Sequence, residues 1–143
     1  MKMTKINIRP VRATVGVLLL ALMSACATVA PTQDDIIAER VQARWDALIA
    51  RDYAKAYSYY SPAYRSRSTA VDLEIKVRMQ RVKWLGAEYV SHSCSGDVCT
   101  VDVDLKYQMA KPVPGVSSWG SVNRNQEQWI KVDGQWWFVP PKD

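Results

Sequence analysis

Glu127-Gln128-Trp129-Ile130-Lys131-Val132-Asp133-Gly134-Gln135-Trp136-Trp137-Phe138 reads as two strands joined by a two-residue turn. Asp-Gly favours the positive φ values of a type I′ turn, whose twist matches that of the flanking strands. Counting outward from the turn pairs Lys131 with Trp136, Ile130 with Trp137 and Trp129 with Phe138. Large apolar side chains then fall on both faces, as in a sheet that helices cover on one side and that encloses something on the other. Lys131 against Trp136 suits a structural cation–π contact.

Upstream, Cys99, Val101, Val103, Leu105, Tyr107 and Met109 alternate with Thr100, Asp102, Asp104, Lys106 and Gln108, which predicts a half-buried strand. With Gly96-Asp97 as the preceding turn, Ser95 pairs with Val98 and Cys94 faces Cys99 in a non-hydrogen-bonded pair. Such pairs have Cα atoms ~4.5 Å apart, within reach of a disulfide. Extending that register along a strand over 82–93 sets His92 opposite Val101, Val90 opposite Val103, Glu88 opposite Leu105 and Trp84 opposite Met109. Glu88 and His92 would then share the apolar face, where a buried carboxylate with a raised pKa can act as acid or base. The favoured alternative is a bulge near Gly86 that turns Leu85, Ala87 and Tyr89 inward and Glu88 to solvent, because one extra residue flips every side chain beyond it. Residues 111–121, with Pro112, Pro114 and Gly115, read as a loop, and Trp119 within it either meets a partner or folds back onto the core.

The front of the chain is helical. Thr32-x-x-Asp35 suits a capping box ahead of Ile37, Val41, Trp45, Leu48 and Ile49, with Glu39, Arg40, Gln42 and Arg44 assigned to the polar side. Asp52 suits the cap of a shorter helix from Tyr53 to Tyr59, ended by Ser61-Pro62. Over 71–80 the apolar residues fit strand alternation and helical spacing alike. Its polar residue types and the cap offered by Ser68-Thr69 favour helix.

The aromatic hairpin, together with Trp45-Asp46-Ala47-Leu48-Ile49-Ala50-Arg51-Asp52-Tyr53 and Ala56-Tyr57-Ser58-Tyr59-Tyr60-Ser61-Pro62-Ala63-Tyr64-Arg65, resembles the nuclear transport factor two-like superfamily. The resemblance implies an α+β cone, with N-terminal helices packed on a curved, mainly antiparallel sheet and a pocket between them. It does not choose a function, since such folds host isomerases, dehydratases, carriers and assembly domains. Isomerase-type members set a carboxylate base opposite a tyrosine, for which Glu88 with Tyr57 or Tyr60 is the available combination. No catalytic position is carried over.

Lys2, Lys5, Arg9 and Arg12, the apolar run from Val15 to Met23 and Leu22-Met23-Ser24-Ala25-Cys26 resemble a bacterial lipoprotein signal. A cleaved secretory signal or an uncleaved anchor are the competing readings, the latter weakened by Thr28, Pro31, Thr32 and Gln33. The resemblance implies a signal peptide over 1–25, acylation of Cys26 with membrane lipid as its partner, a tether over 26–32 and one domain over 33–143. Ala27 in place of an aspartate implies the outer membrane, facing the periplasm. The tether spans roughly 20 Å at most, which keeps the domain close to the bilayer. Acylation of Cys26 also leaves Cys94 and Cys99 as a pair in a compartment where disulfides persist.

The net charge of +5 belongs to the leader: without its four basic residues, 15 basic face 14 acidic. Nucleic-acid binding loses its electrostatic footprint. One histidine and no Cys-x-x-Cys pair speak against zinc, and no phosphate-cradling glycine loop is present. No cofactor is expected. Six tryptophans and seven tyrosines either fill a small core or line a cavity. The candidate pocket set is Tyr57, Tyr60, Trp84, Glu88, His92, Tyr107, Trp129 and Trp137. The expected function is a lipid-anchored envelope protein with a non-catalytic binding or interaction domain that contacts a protein partner or an apolar ligand. A carrier of a small apolar ligand is the alternative, and an enzyme using Glu88 and His92 comes last.

Overall fold

Side-chain oxygens start each helix by meeting backbone N–H groups that have no intrahelical partner. Thr32 caps α1 (Gln33–Ile49) and Thr69 caps α4 (Ala70–Met79), each in a reciprocal capping box, with Asp35 and Asp72. The Thr32 hydroxyl and N–H hold the Asp35 carboxyl below the usual range, and the N–H and hydroxyl of Thr69 do the same for Asp72. Asp52 caps α2 (Tyr53–Tyr57). Ser61, expected only as a stop, caps α3 (Pro62–Arg65), where Pro62 needs no N–H partner. The ambiguous segment after Thr69 is helical.

The computed structural model describes residues 32–110, 114–115 and 117–142. The leader, Cys26 and all of the tether but Thr32 lie outside the described residues. No described helix is long and apolar enough to cross a membrane.

Four strands follow: β1 (Val82–Ser95), β2 (Val98–Ala110), β3 (Ser118–Val132) and β4 (Gln135–Val139). They form one antiparallel sheet in the order β1-β2-β3-β4. Its concave face carries Cys99, Val101, Val103 and Leu105, none more than 1 % exposed, and α1 lays Ile37, Val41, Trp45 and Leu48 into the same core. Gln42 reaches β1 as a neighbouring strand would, accepting from the Tyr89 N–H (3.2 Å) and donating to the Ala87 carbonyl (2.9 Å). Beyond β4, the Ser61 N–H donates to the Phe138 carbonyl and the Phe138 N–H to the Tyr59 carbonyl. Both outer strands thus have partners for part of their length.

The last hairpin has the expected register, with Asp133 and Gly134 at φ 53° and 77°. The Cys94–Cys99 disulfide closes the β1–β2 hairpin across a Cα separation of 4.0 Å. The expected pairing runs from Ser95 to His92 and then slips twice. Val90 and Leu85 are the extra residues at the two shifts, so Tyr89 rather than Val90 meets Val103, Glu88 meets Asp104 rather than Leu105, and Trp84 meets Tyr107 rather than Met109. Ala87 and Tyr89 pack against the core, whereas Leu85 stays 42 % exposed.

Two assignments change. Trp119 belongs to β3, opposite Met109, not to a loop. Its stretch, Ser118-Trp119-Gly120-Ser121-Val122-Asn123, is poor in strand formers, and the length of β2 supplies the pairing that local propensity hides. Arg44, assigned to the polar side of α1, is 1 % exposed. It lies three residues after Val41 and four before Leu48, on their stripe of the helix.

Candidate functional site

The site is built on a charge placed in the core. Glu127 sits on the concave face of β3, opposite Val101 and two residues before Trp129, so strand alternation alone points its carboxylate at the helices. Arg44 descends from α1 to meet it, its Nη2 donating to Oε1. The Trp45 indole also donates to Oε1 (2.8 Å), and the Trp129 indole donates to Oε2 (3.0 Å). Both side chains of the pair are nearly inaccessible, 2 % for Arg44 and 5 % for Glu127. Burying two such charges is tolerable only with close pairing and further hydrogen bonds, which the two indoles supply.

Aromatic faces complete the surroundings of Arg44. Its guanidinium carbon lies 3.8 Å from the Phe138 ring centroid and 4.7 Å from that of Trp45, distances at which the ring faces attract a cation. These contacts stand beside an Nε that has no hydrogen-bond partner. Burial pushes the Tyr60 hydroxyl pKa up against the opposing pull of Arg44, which keeps this tyrosine protonated.

Over this floor opens a cavity of about 760 Å³. Its walls come from every layer of the fold: Trp45 and Leu48 of α1, Tyr64 of α3, Leu73 and Val77 of α4, Trp84 of β1, Asn125 of β3 and Phe138 of β4. Exposed Lys76, Gln80, Pro141 and Lys142 also line it, with Gln126, Gln128, Val139 and Pro140. Trp84 is held edge-on between Trp45 and Tyr107 at ring separations of 5.3 and 6.1 Å. The volume suits a small molecule, and the lining sets aromatic and aliphatic side chains beside a comparable share of polar and charged ones.

Of the expected pocket residues, Tyr60 and Trp84 line the cavity. Trp129 lies in the core beneath the site, its indole N–H on Glu127 and its ring beside Arg44 and Phe138. Tyr57 stacks on Tyr60 but donates its hydroxyl to the Ser68 carbonyl (2.6 Å), and Tyr107 stands behind Trp84. Trp137 faces the other way, with Arg40 and Arg65 against its ring at 5.1 and 4.7 Å.

The expected acid–base pair is not assembled. Glu88 is exposed and paired across the sheet with Asp104, because the Val90 bulge turns it outward. His92 lies further along β1, its Nδ1 2.5 Å from the Tyr89 hydroxyl and its Nε2 3.2 Å from Asp34. Burial, then the Asp34 charge, raises the Tyr89 pKa. Among the described residues, no three His, Cys, Asp or Glu side chains are grouped to hold a metal. Arg44, Trp45, Tyr64, Asn125 and Glu127 were missed as site residues. The helical stripe of Val41 and Leu48 marks Arg44, and parity with Trp129 marks Glu127.

No family model matches the chain, and no curated protein matches it in sequence. Similarity emerges in structure. A nuclear transport factor two-like family protein from Streptomyces avermitilis superposes with a TM-score of 0.53 at 11 % identity, over 76 % of this chain and 93 % of that one. The fold is nuclear transport factor two-like. SEC-C motif-containing proteins share this architecture with the chain. The one from Rhodopseudomonas palustris gives a TM-score of 0.54 at 17 % identity, covering 71 % of this chain and 73 % of its own. The one from Psychrobacter arcticus gives 0.57 at 16 %, covering 78 % and 63 %. Identities this low carry the fold alone, so the nuclear transport factor two-like cone is shared while its use is read from the site.

Proposed function

We propose that this chain is a lipid-anchored envelope protein whose nuclear transport factor two-like domain binds a small, largely apolar molecule without transforming it. One observation carries the binding half. The cavity is open and more apolar than polar, while Glu127, the one carboxylate among its described lining residues, already accepts from Arg44, Trp45 and Trp129. Both of its oxygens are thus taken up by fixed donors of the protein, a structural use of the carboxylate. What the cavity offers instead is aromatic and aliphatic wall, with Asn125 and Gln80 as points of polar orientation.

The anchoring half rests on Leu22-Met23-Ser24-Ala25-Cys26 and on the Cys94–Cys99 disulfide, which suits an oxidising compartment. Native mass spectrometry of the detergent-extracted protein tests the first half. A co-purifying small molecule that Val77→Trp displaces is expected, and an unliganded wild-type chain that takes up no apolar molecule overturns the reading. Palmitate labelling tests the second: wild type incorporates label and Cys26→Ser does not.

A further inference from the structure

Two arginines share one indole. Arg40 of α1 and Arg65 at the end of α3 set their guanidinium carbons 5.1 and 4.7 Å from the Trp137 ring centroid. The ring is fixed by its own N–H, which donates to the Val132 carbonyl (3.3 Å), and Arg40 by its Nε, which donates to the Trp136 carbonyl (2.6 Å). Tyr59 offers Arg40 a second ring face at 5.0 Å. None of these four side chains lines the cavity, so the cluster is separate from the site described above.

The cluster holds two cations without a carboxylate. Among the described residues, the arginines at least partly withdrawn from solvent are Arg40, Arg44 and Arg65. Arg44 has Glu127, whereas no described acid pairs with Arg40 or Arg65. Taking a cation out of water is costly unless an anion compensates it. Ring faces offset part of that cost, yet they leave the in-plane donors of the guanidinium unused. The Arg65 Nε is closed to solvent and has no hydrogen-bond partner. Burial, and after it the charge of Arg65, lowers the Arg40 pKa against the opposing pull of Tyr59 and Glu39, so the two cations feel each other. The nearby chain adds to the excess: over 51–67, Arg51, Lys55, Arg65 and Arg67 stand against Asp52, whose carboxylate is engaged in capping α2.

We propose that Arg40 and Arg65, flanking Trp137, form an anion site that takes a phosphate group as the counter-charge the fold itself does not supply. Arginine stacks on an aromatic face and still presents a planar fork to phosphate, so the ring contacts and the binding role coexist. A phosphate group presents three acceptor oxygens, enough to serve two forks, where a carboxylate has two. The Tyr59 hydroxyl, which makes no hydrogen bond among the described residues, is a further donor beside Arg40. Phosphate reaches such a site either on a free phosphate compound or on a lipid head, the second resting on the anchoring proposed above.

Isothermal titration of the detergent-extracted full chain at low salt tests the site, with inorganic phosphate and with glycerophosphoglycerol, a phospholipid head without tails, as the probes. Saturable one-site binding of at least one probe is expected. Arg65→Gln and Arg40→Gln should each weaken it tenfold or more, and Arg67→Gln, an exposed neighbour, should leave it unchanged. Arg65→Lys keeps the charge without the fork, so it is expected to retain the wild-type unfolding curve and still lose affinity. Tighter binding of inorganic phosphate assigns the site to free phosphate compounds, and tighter binding of glycerophosphoglycerol assigns it to a lipid surface. No binding of either probe by the wild-type chain, binding that Arg65→Gln leaves unaltered, or equal weakening by Arg67→Gln each overturns the proposal.

Discussion

The two faces of the sheet hold the same chemistry under opposite conditions. On the concave face, Arg44 and Glu127 pair with side chains 2 and 5 % exposed, while on the convex face Arg124 binds Asp104 through two bonds of 2.8 and 2.9 Å at 54 and 32 % exposure. The outer pair has the better fork geometry, yet water screens it and competes for both partners. The inner pair has no such alternative, so removing either member strands a charge among aromatic rings. Burial, more than bond geometry, sets what each pair is worth.

The largest effect follows from breaking the inner pair. Glu127→Gln is expected to destabilise by about 3–5 kcal/mol, because Arg44 loses its counter-charge and the new amide N–H₂ faces an indole donor. Arg44→Met/Glu127→Leu should be markedly more stable than the sum of its single changes predicts. Denaturant titration of the four chains checks both. Reducing the Cys94–Cys99 link, or replacing it by Cys94→Ser/Cys99→Ser, comes next at about 2 kcal/mol for so short a loop. Calorimetry is expected to show a lower Tm with the fold retained.

Smaller still is the effect of Arg124→Ala, expected to lower stability only slightly and less in high salt, since the outer pair is screened. The two faces also differ in pH response. Burial raises the Tyr60 pKa above its ordinary 10.0, so the unfolded chain loses this proton first and stability falls as pH rises past 10. Tyr60→Phe removes that slope. On the convex face, the Arg124 hydrogen bond lowers the Asp104 pKa from 3.8, so its contribution is present above that value and lost as pH falls through the lowered one. Asp104→Asn flattens this acid limb, as thermal unfolding against pH would show.

The difference between the faces also explains what was legible in the sequence. Local rules carried far: Asp133-Gly134 fixed its hairpin register, Cys94 and Cys99 met as counted, and Thr32 and Thr69 capped their helices. Each of these depends on neighbours a few residues away. Glu88 turned out because register is cumulative, and one extra residue, Val90, between it and His92 shifted the pairing beyond it. Arg44 and Glu127 stayed hidden because each, taken alone, reads as a surface charge. Their burial depends on a partner 83 residues away. Trp119 shows the reverse case, a strand formed where local residues favour a loop.

The open pocket over a spent carboxylate is tested most directly by titrating the purified protein with 1-aminoanthracene, a neutral apolar fluorophore. Saturable binding at one site, lost in Val77→Trp and retained in the exposed control Arg124→Ala, is the predicted result. No saturable binding, or binding that Val77→Trp leaves unchanged, would contradict it.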